Sequence, residues 1–173
     1  MKTLILYKSK YGSTARYAAM LGQELGCEPA DIDAAGAKPA EGCGAVIFAG
    51  GKYAGGVAGW SKFAKLLPAL EGRRTALLCV GASPYDGKAL AALRERCKGL
   101  PENVPLFYAR GAWDESVMSF KDRMMCKLLQ KMVARQPEQT EPWMRELLAA
   151  MGQKRDWVSA GQLQPLLEYI RAE

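Results

Sequence analysis

The opening stretch of about fourteen residues constrains this chain more than any other. Residues 3–7 form a short apolar run with high strand propensity. Residues 8–13 are polar and carry one glycine, Gly12. From Thr14 onward the apolar positions Tyr17, Ala18, Leu21 and Leu25 recur at spacings of three and four, and Gly26 offers a stop. A buried strand, a tight polar loop and an amphipathic helix open a βαβ unit. Such a unit calls for a parallel sheet, because a crossover helix brings the next strand back alongside the first.

The rest of the chain keeps the alternation. Residues 29–33 read as a short edge strand, and 45–49, 75–80 and 105–109 read as buried strands. Between them lie an expected glycine-rich loop over 50–59 and a helix over 60–70 with Trp60, Phe63, Ala64 and Leu67 on one face. A loop over 81–87 and a helix over 88–97 follow. The last third reads as helices over 118–135, 142–151 and 162–171. The expected fold class is α/β: a three-layer α/β/α sandwich with a five-stranded parallel sheet and extra C-terminal helices. A length of 173 residues, with no repeat or linker-like tract, fits one domain over 1–173.

Composition excludes several chemistries. There is no histidine, which removes the commonest metal ligand and the commonest neutral-pH general base. A zinc centre or a Ser-His-Asp hydrolase is therefore not expected. The five cysteines contain no C-x-x-C pair, which argues against a disulfide framework. The opening apolar run is too short for a signal-peptide core and no segment approaches a membrane span, so the expected compartment is the cytoplasm. The net charge of +6 suits anionic ligands or surfaces, or simply keeps the chain soluble.

The loop after the first strand reads Ser9-Lys10-Tyr11-Gly12-Ser13-Thr14. In an open parallel sheet, ligands bind beyond the carboxyl ends of the strands. A phosphate there meets the free N–H groups of the following helix, and serine and threonine hydroxyls can donate to it. The same residues could instead cap the helix. Neither G-x-G-x-x-G nor a Walker A motif is present, since Gly51-Lys52 is followed by Tyr53.

Ser9, Gly12 and Thr14 match Ser/Thr-x-x-Gly-x-Thr, and in this the chain resembles the flavodoxins. The resemblance implies a flavodoxin-like fold and FMN as cofactor, with Ser9, Lys10, Tyr11, Gly12, Ser13 and Thr14 around its phosphate. It also implies two loops around the flavin ring. One holds Gly51, Lys52, Tyr53, Ala54 and Gly55, and the other Gly81, Ala82, Ser83 and Tyr85, with Tyr53 and Tyr85 as the candidate stacking aromatics. It assigns no catalytic side chain and no metal ligand.

A narrower resemblance lies further on. Asp122-Arg123-Met124-Met125-Cys126-Lys127, continuing to Lys131-Met132, resembles the helix after the last strand in bacterial flavodoxin-type quinone-dependent protoporphyrinogen dehydrogenases. Residues 1–6, Lys52-Tyr53 and Asp156-Trp157 are similar to those enzymes as well. Residues 81–104 depart from them, being short where those enzymes carry a long insert. The expected function is electron transfer or FMN-dependent oxidoreduction, with a redox partner protein or a quinone and no nucleic acid. Protoporphyrinogen IX dehydrogenation and a flavin-free interaction module stand as alternatives. A response-regulator receiver shares the fold, but Lys8, Ser9 and Gly50 stand where its acidic residues belong.

In the helix over 118–135, Arg123, Lys127, Lys131 and Arg135 recur every four residues beside Met118, Met125, Leu128, Leu129 and Met132. Two readings follow. One is peripheral membrane contact, or contact with an acidic partner, through a basic amphipathic face. The other is a core helix with a solvated basic side.

Overall fold

The computed structural model describes residues 1–35, 40–135, 138 and 140–172. The main sheet is built from β1 (Thr3–Lys8), β2 (Ala30–Asp31), β3 (Ala45–Tyr53), β5 (Arg74–Gly81) and β6 (Leu106–Arg110). These five pair in parallel in the order β2-β1-β3-β5-β6. Numbered along the chain this is 2-1-3-4-5, the doubly wound order of flavodoxin-like folds. The expected fold class holds.

Each strand buries alternate residues on opposite faces. On one face, Ile47, Ala49, Leu78 and Val80 pack with Ile5 against α1 (Ser13–Leu25) and α6 (Gln164–Arg171), through Tyr17, Leu21, Leu166 and Ile170. On the other face, Val46, Phe48, Leu77 and Cys79 pack against α2 (Trp60–Ala64), a 3₁₀ turn over Leu67–Leu70, and α3 (Gly87–Arg96). There the Phe48 and Phe63 rings stack 4.6 Å apart. Burial on both faces explains why the strands read as continuous apolar runs.

Three sequence expectations need correction. The helix expected over 60–70 is broken: α2 ends at Ala64, and a 3₁₀ turn with Pro68 in its first positions follows. Proline has no N–H to continue an α-helix. The stretch expected as a glycine-rich loop is largely strand. β3 runs on to Tyr53 and folds back as a hairpin with β4 (Gly56–Val57). Ala54 and Gly55 form its two-residue turn, with φ of 49° and 80°, the left-handed pair of a type I′ turn. Gly50 makes the fold-back possible, because a Cβ there would lie 2.2 Å from Val57 Cγ1.

The third correction concerns α4 (Phe120–Arg135). The core-helix reading fails: Asp122 is its only buried residue among those described, and Met125, Leu128 and Met132 are exposed. α5 (Pro142–Ala150) and a two-stranded ribbon of β7 (Ala112–Trp113) with β8 (Arg155–Asp156) complete the C-terminal part.

Candidate functional site

Strand order reverses at β1, so the crevice beyond the carboxyl ends of β1 and β3 is the natural ligand site of this topology. A cavity of about 210 Å³ lies there. A larger hollow of about 980 Å³, walled by Arg73, Arg74 and Tyr169, lies at the opposite end of the sheet. Its arginines are engaged in structural bonds, Arg73 to the carbonyls of Ala40 and Ala69, Arg74 to that of Ile170 and Arg171 to Glu24. The chemistry belongs to the smaller cavity.

Ser9, Lys10, Tyr11, Ser13 and Thr14 form its first wall. The serine and threonine residues do not cap the helix. Gly12 occupies the N-cap of α1 with φ of 97°, and no side chain caps the helix. Arg16 N–H donates to the Gly12 carbonyl, which leaves the amides of Ser13, Thr14 and Ala15 with no acceptor among the described residues. A Cβ on Gly12 would meet nothing within 4 Å, so the backbone is open to a ligand here. Ser9 Oγ accepts from Gly12 N–H at 3.1 Å and keeps its own proton to donate. Thr14 is buried at the cavity wall with no hydrogen bond to its hydroxyl among the described residues. Ser13 has a second duty: its Oγ accepts from Ala112 N–H at 2.9 Å, pinning the segment after β6 to α1.

The second wall comes from β3 and its hairpin, with Gly51, Lys52, Tyr53 and Ala54 at the cavity. The hairpin register sets Tyr53 beside Lys10, whose ammonium lies 3.9 Å from the ring centre. Lys52 Nζ sits 4.9 Å over the Trp143 ring and ties the hairpin to α5. Gly55 lies off the cavity, its carbonyl accepting from Arg96 at 2.9 Å.

The end of β5 contributes Val80 and Gly81, and the loop after it Ala82. Ser83 is turned away: Tyr108 donates to its carbonyl at 2.6 Å, and the two hydroxyls lie 3.1 Å apart. Tyr85 is 68% exposed and meets Tyr108 edge-on, away from the cavity. Of the two tyrosines expected as stacking aromatics, only Tyr53 is at the site.

The remaining wall was not foreseen. Gly111, Ala112 and Trp113 enter from the end of β6 and from β7, and Met118, Asp122, Met125 and Cys126 enter from α4 and the turn before it. The sequence holds a signal for the first group: Gly50 and Gly81 directly follow apolar runs, and Gly111 follows one after Arg110. Asp122 is the centre of the site's polar network. Its Oδ2 accepts from Lys10 at 2.7 Å and from the Tyr11 hydroxyl, and its Oδ1 accepts from Tyr53 at 2.9 Å. The Lys10 ammonium, followed by the Tyr11 hydroxyl, holds the Asp122 carboxyl down at about 2, and the carboxylate raises Lys10 in turn. Lys10 and Asp122 together carry no net charge, so an anion at the loop would be held chiefly by the α1 amides and hydroxyls. Asp156 and Trp157 lie outside the cavity, bonded to Arg16 and stacked on Arg110. Among the described residues no cluster of acidic and cysteine side chains suits a metal.

Comparison with known proteins gives the family. No curated protein matches the sequence. Among solved structures, a WrbA-like flavodoxin from Agrobacterium tumefaciens is 20% identical, covering 81% of this chain and 99% of its own, with a TM-score of 0.46. A flavodoxin from the domain Archaea is 13% identical over 80% and 99% of the two chains, with a TM-score of 0.43. A flavoprotein in complex with FMN from Lactobacillus acidophilus is 16% identical over 63% and 91%, with a TM-score of 0.39. The family model described as a flavodoxin domain matches residues 4–140, well over half of the sequence, and the chain belongs to that family.

Proposed function

We propose that this chain binds FMN in the cavity beyond β1 and β3 and acts as an electron carrier or FMN-dependent oxidoreductase in the cytoplasm. One observation carries the reading: three amides at the start of α1 lack acceptors among the described residues, beneath an open Gly12 and beside the hydroxyls of Ser9 and Thr14. These are the donors that a phosphate monoester needs. The amides of Ser13, Thr14 and Ala15 and the hydroxyls of Ser9 and Thr14 would hold the phosphate. Tyr53 and Trp113 would supply apolar walls for the ring, and the backbone at Gly51 and Gly81 its polar contacts. Bound FMN supplies the redox chemistry. The chain's own part is to orient the cofactor and exclude water, and no cavity side chain has to act as a general acid or base. A redox partner protein or a quinone would exchange the electrons.

The test is reductive. The chain is loaded with FMN, freed of excess by gel filtration, reduced anaerobically and mixed with ferricyanide or a soluble quinone. Flavin that stays with the protein and is rapidly reoxidised supports the proposal; flavin that elutes entirely free of the protein contradicts it.

A second reading, oxidation of protoporphyrinogen with a quinone acceptor, is favoured by one observation. The run from Asp122 that resembles those dehydrogenases supplies cavity wall through Asp122, Met125 and Cys126. Against it stands the short 81–104 segment, which forms an ordinary loop and α3. Porphyrin formation with protoporphyrinogen and quinone, measured above the uncatalysed rate, would promote this reading.

A further inference from the structure

We infer that the outer face of α4 docks on an anionic lipid surface. The helix turns Asp122, Cys126, Leu129 and Val133 toward the protein, all buried or half-buried. Phe120, Met124, Leu128 and Met132 then form an outward row at four-residue spacing, exposed by 74%, 49%, 59% and 59%. Val117, just before the helix, extends the row and is also exposed. None of these residues contributes to either core cluster or lines the cavity. Beside the row run Arg123, Lys127, Lys131 and Arg135, with Lys121 on its other side, all exposed. Among the described residues none of the five has a carboxylate partner, and the one acid of α4, Asp122, points inward.

Charge complementarity selects the occupant. A second copy is disfavoured, because a two-fold contact would set this cationic face against itself. An acidic protein would satisfy the cations. It would also have to offer a groove for a projecting ridge of long, flexible methionine, leucine and phenylalanine side chains. A bilayer accepts such a ridge without a preformed groove and meets the flanking cations with its headgroups. The 16-residue helix, about 24 Å long, lies along the surface; among the described residues no helix is long and apolar enough to cross a membrane. Met125 and Cys126 of the same helix line the cavity, so docking would bring the cavity mouth to the lipid interface. The inference goes beyond the flavin reading and does not rest on it.

The full chain, with and without FMN, is sedimented with vesicles of phosphatidylcholine mixed with phosphatidylglycerol, and with vesicles of phosphatidylcholine alone. Binding is expected only to the anionic vesicles and is expected to weaken with salt. The pair Lys127→Glu and Lys131→Glu is expected to lower partitioning by roughly 25-fold or more, since each cation near such a surface is worth about fivefold. The pair Leu128→Ser and Met132→Ser is expected to lower it by about tenfold or more. All four positions are exposed, and unchanged circular dichroism verifies the fold. Absence of vesicle binding, equal binding to neutral vesicles, or indifference to both pairs would overturn the inference. Binding to polyglutamate but not vesicles would overturn it in favour of an acidic protein, and self-association abolished by the same pairs would overturn it in favour of a second copy.

Discussion

The Tyr53 hydroxyl donates to Asp122 Oδ1 at 2.9 Å, across 69 residues of sequence. The same carboxylate takes Lys10 on its other oxygen at 2.7 Å. One buried side chain of α4 thus joins the loop after β1 to the hairpin after β3, and the cavity lies between them. Asp122 positions the site's walls, while the α1 amides face the place where an anion would sit.

Asp122→Asn is expected to destabilise the fold by about 1–3 kcal/mol at neutral pH, since hydrogen bonds to a charged group are replaced by weaker ones. The sign of the pH dependence follows from the depressed carboxyl. Its contribution is present above the ordinary value of 3.8 and is lost as pH falls toward about 2. Denaturant titrations of both proteins should therefore show the stability gap narrowing across that window. The gap is the quantity to follow, because Asp33, Asp114 and Asp156 are also lowered and titrate in both proteins.

Thr14→Val should leave stability within about 1 kcal/mol, because the swap preserves shape and the hydroxyl has no partner among the described residues. It should weaken FMN by about 1.5–3 kcal/mol, the size of a hydrogen bond to a charged group, and leave riboflavin unchanged. Parallel calorimetric titrations check this. Equal loss for both ligands would make Thr14 a structural residue.

Ring stacking is expected to single out Tyr53. Tyr53→Ala should raise the emission of bound flavin, because aromatic contact quenches it, whereas Tyr85→Ala should leave emission unchanged. Steady-state fluorescence of the loaded variants decides between them.

Ala54 holds φ of 49°, in the left-handed region that costs an alanine about 1–2 kcal/mol. Ala54→Asn is expected to raise stability by about 0.5–1 kcal/mol, because asparagine favours the first position of a type I′ turn. Gly50→Ala should do the reverse and cost about 1–3 kcal/mol, since its Cβ would press on Val57 and the Ala58 carbonyl. Thermal melts of the two variants give the comparison.

What was legible in the sequence was what local pattern decides. The switch from strand to helix around Gly12 fixed the first loop, and the apolar runs at 45–49 and 75–80 marked strands because both their faces are buried. The β3–β4 hairpin is hidden in the sequence: its turn uses an alanine at positive φ, and Gly50 serves close packing within β3 rather than a loop. The flavodoxin resemblance implies a ring contact for Tyr85, but its side chain meets Tyr108 edge-on outside the cavity, a tertiary contact that no local pattern reports. Asp122 stands out in the sequence only as the start of the run that resembles the dehydrogenases. Its carboxylate is bonded to Tyr11, 111 residues earlier, and no periodicity reports such a contact.

Calorimetric titration of the purified chain with FMN and, separately, with riboflavin decides whether the cavity beyond β1 and β3 holds a flavin by its phosphate. One FMN per chain is expected, bound at least about tenfold more tightly than riboflavin, because the α1 amides and the hydroxyls of Ser9 and Thr14 would donate to the phosphate that riboflavin lacks. Equal affinity for the two flavins, or no binding of FMN, would contradict it.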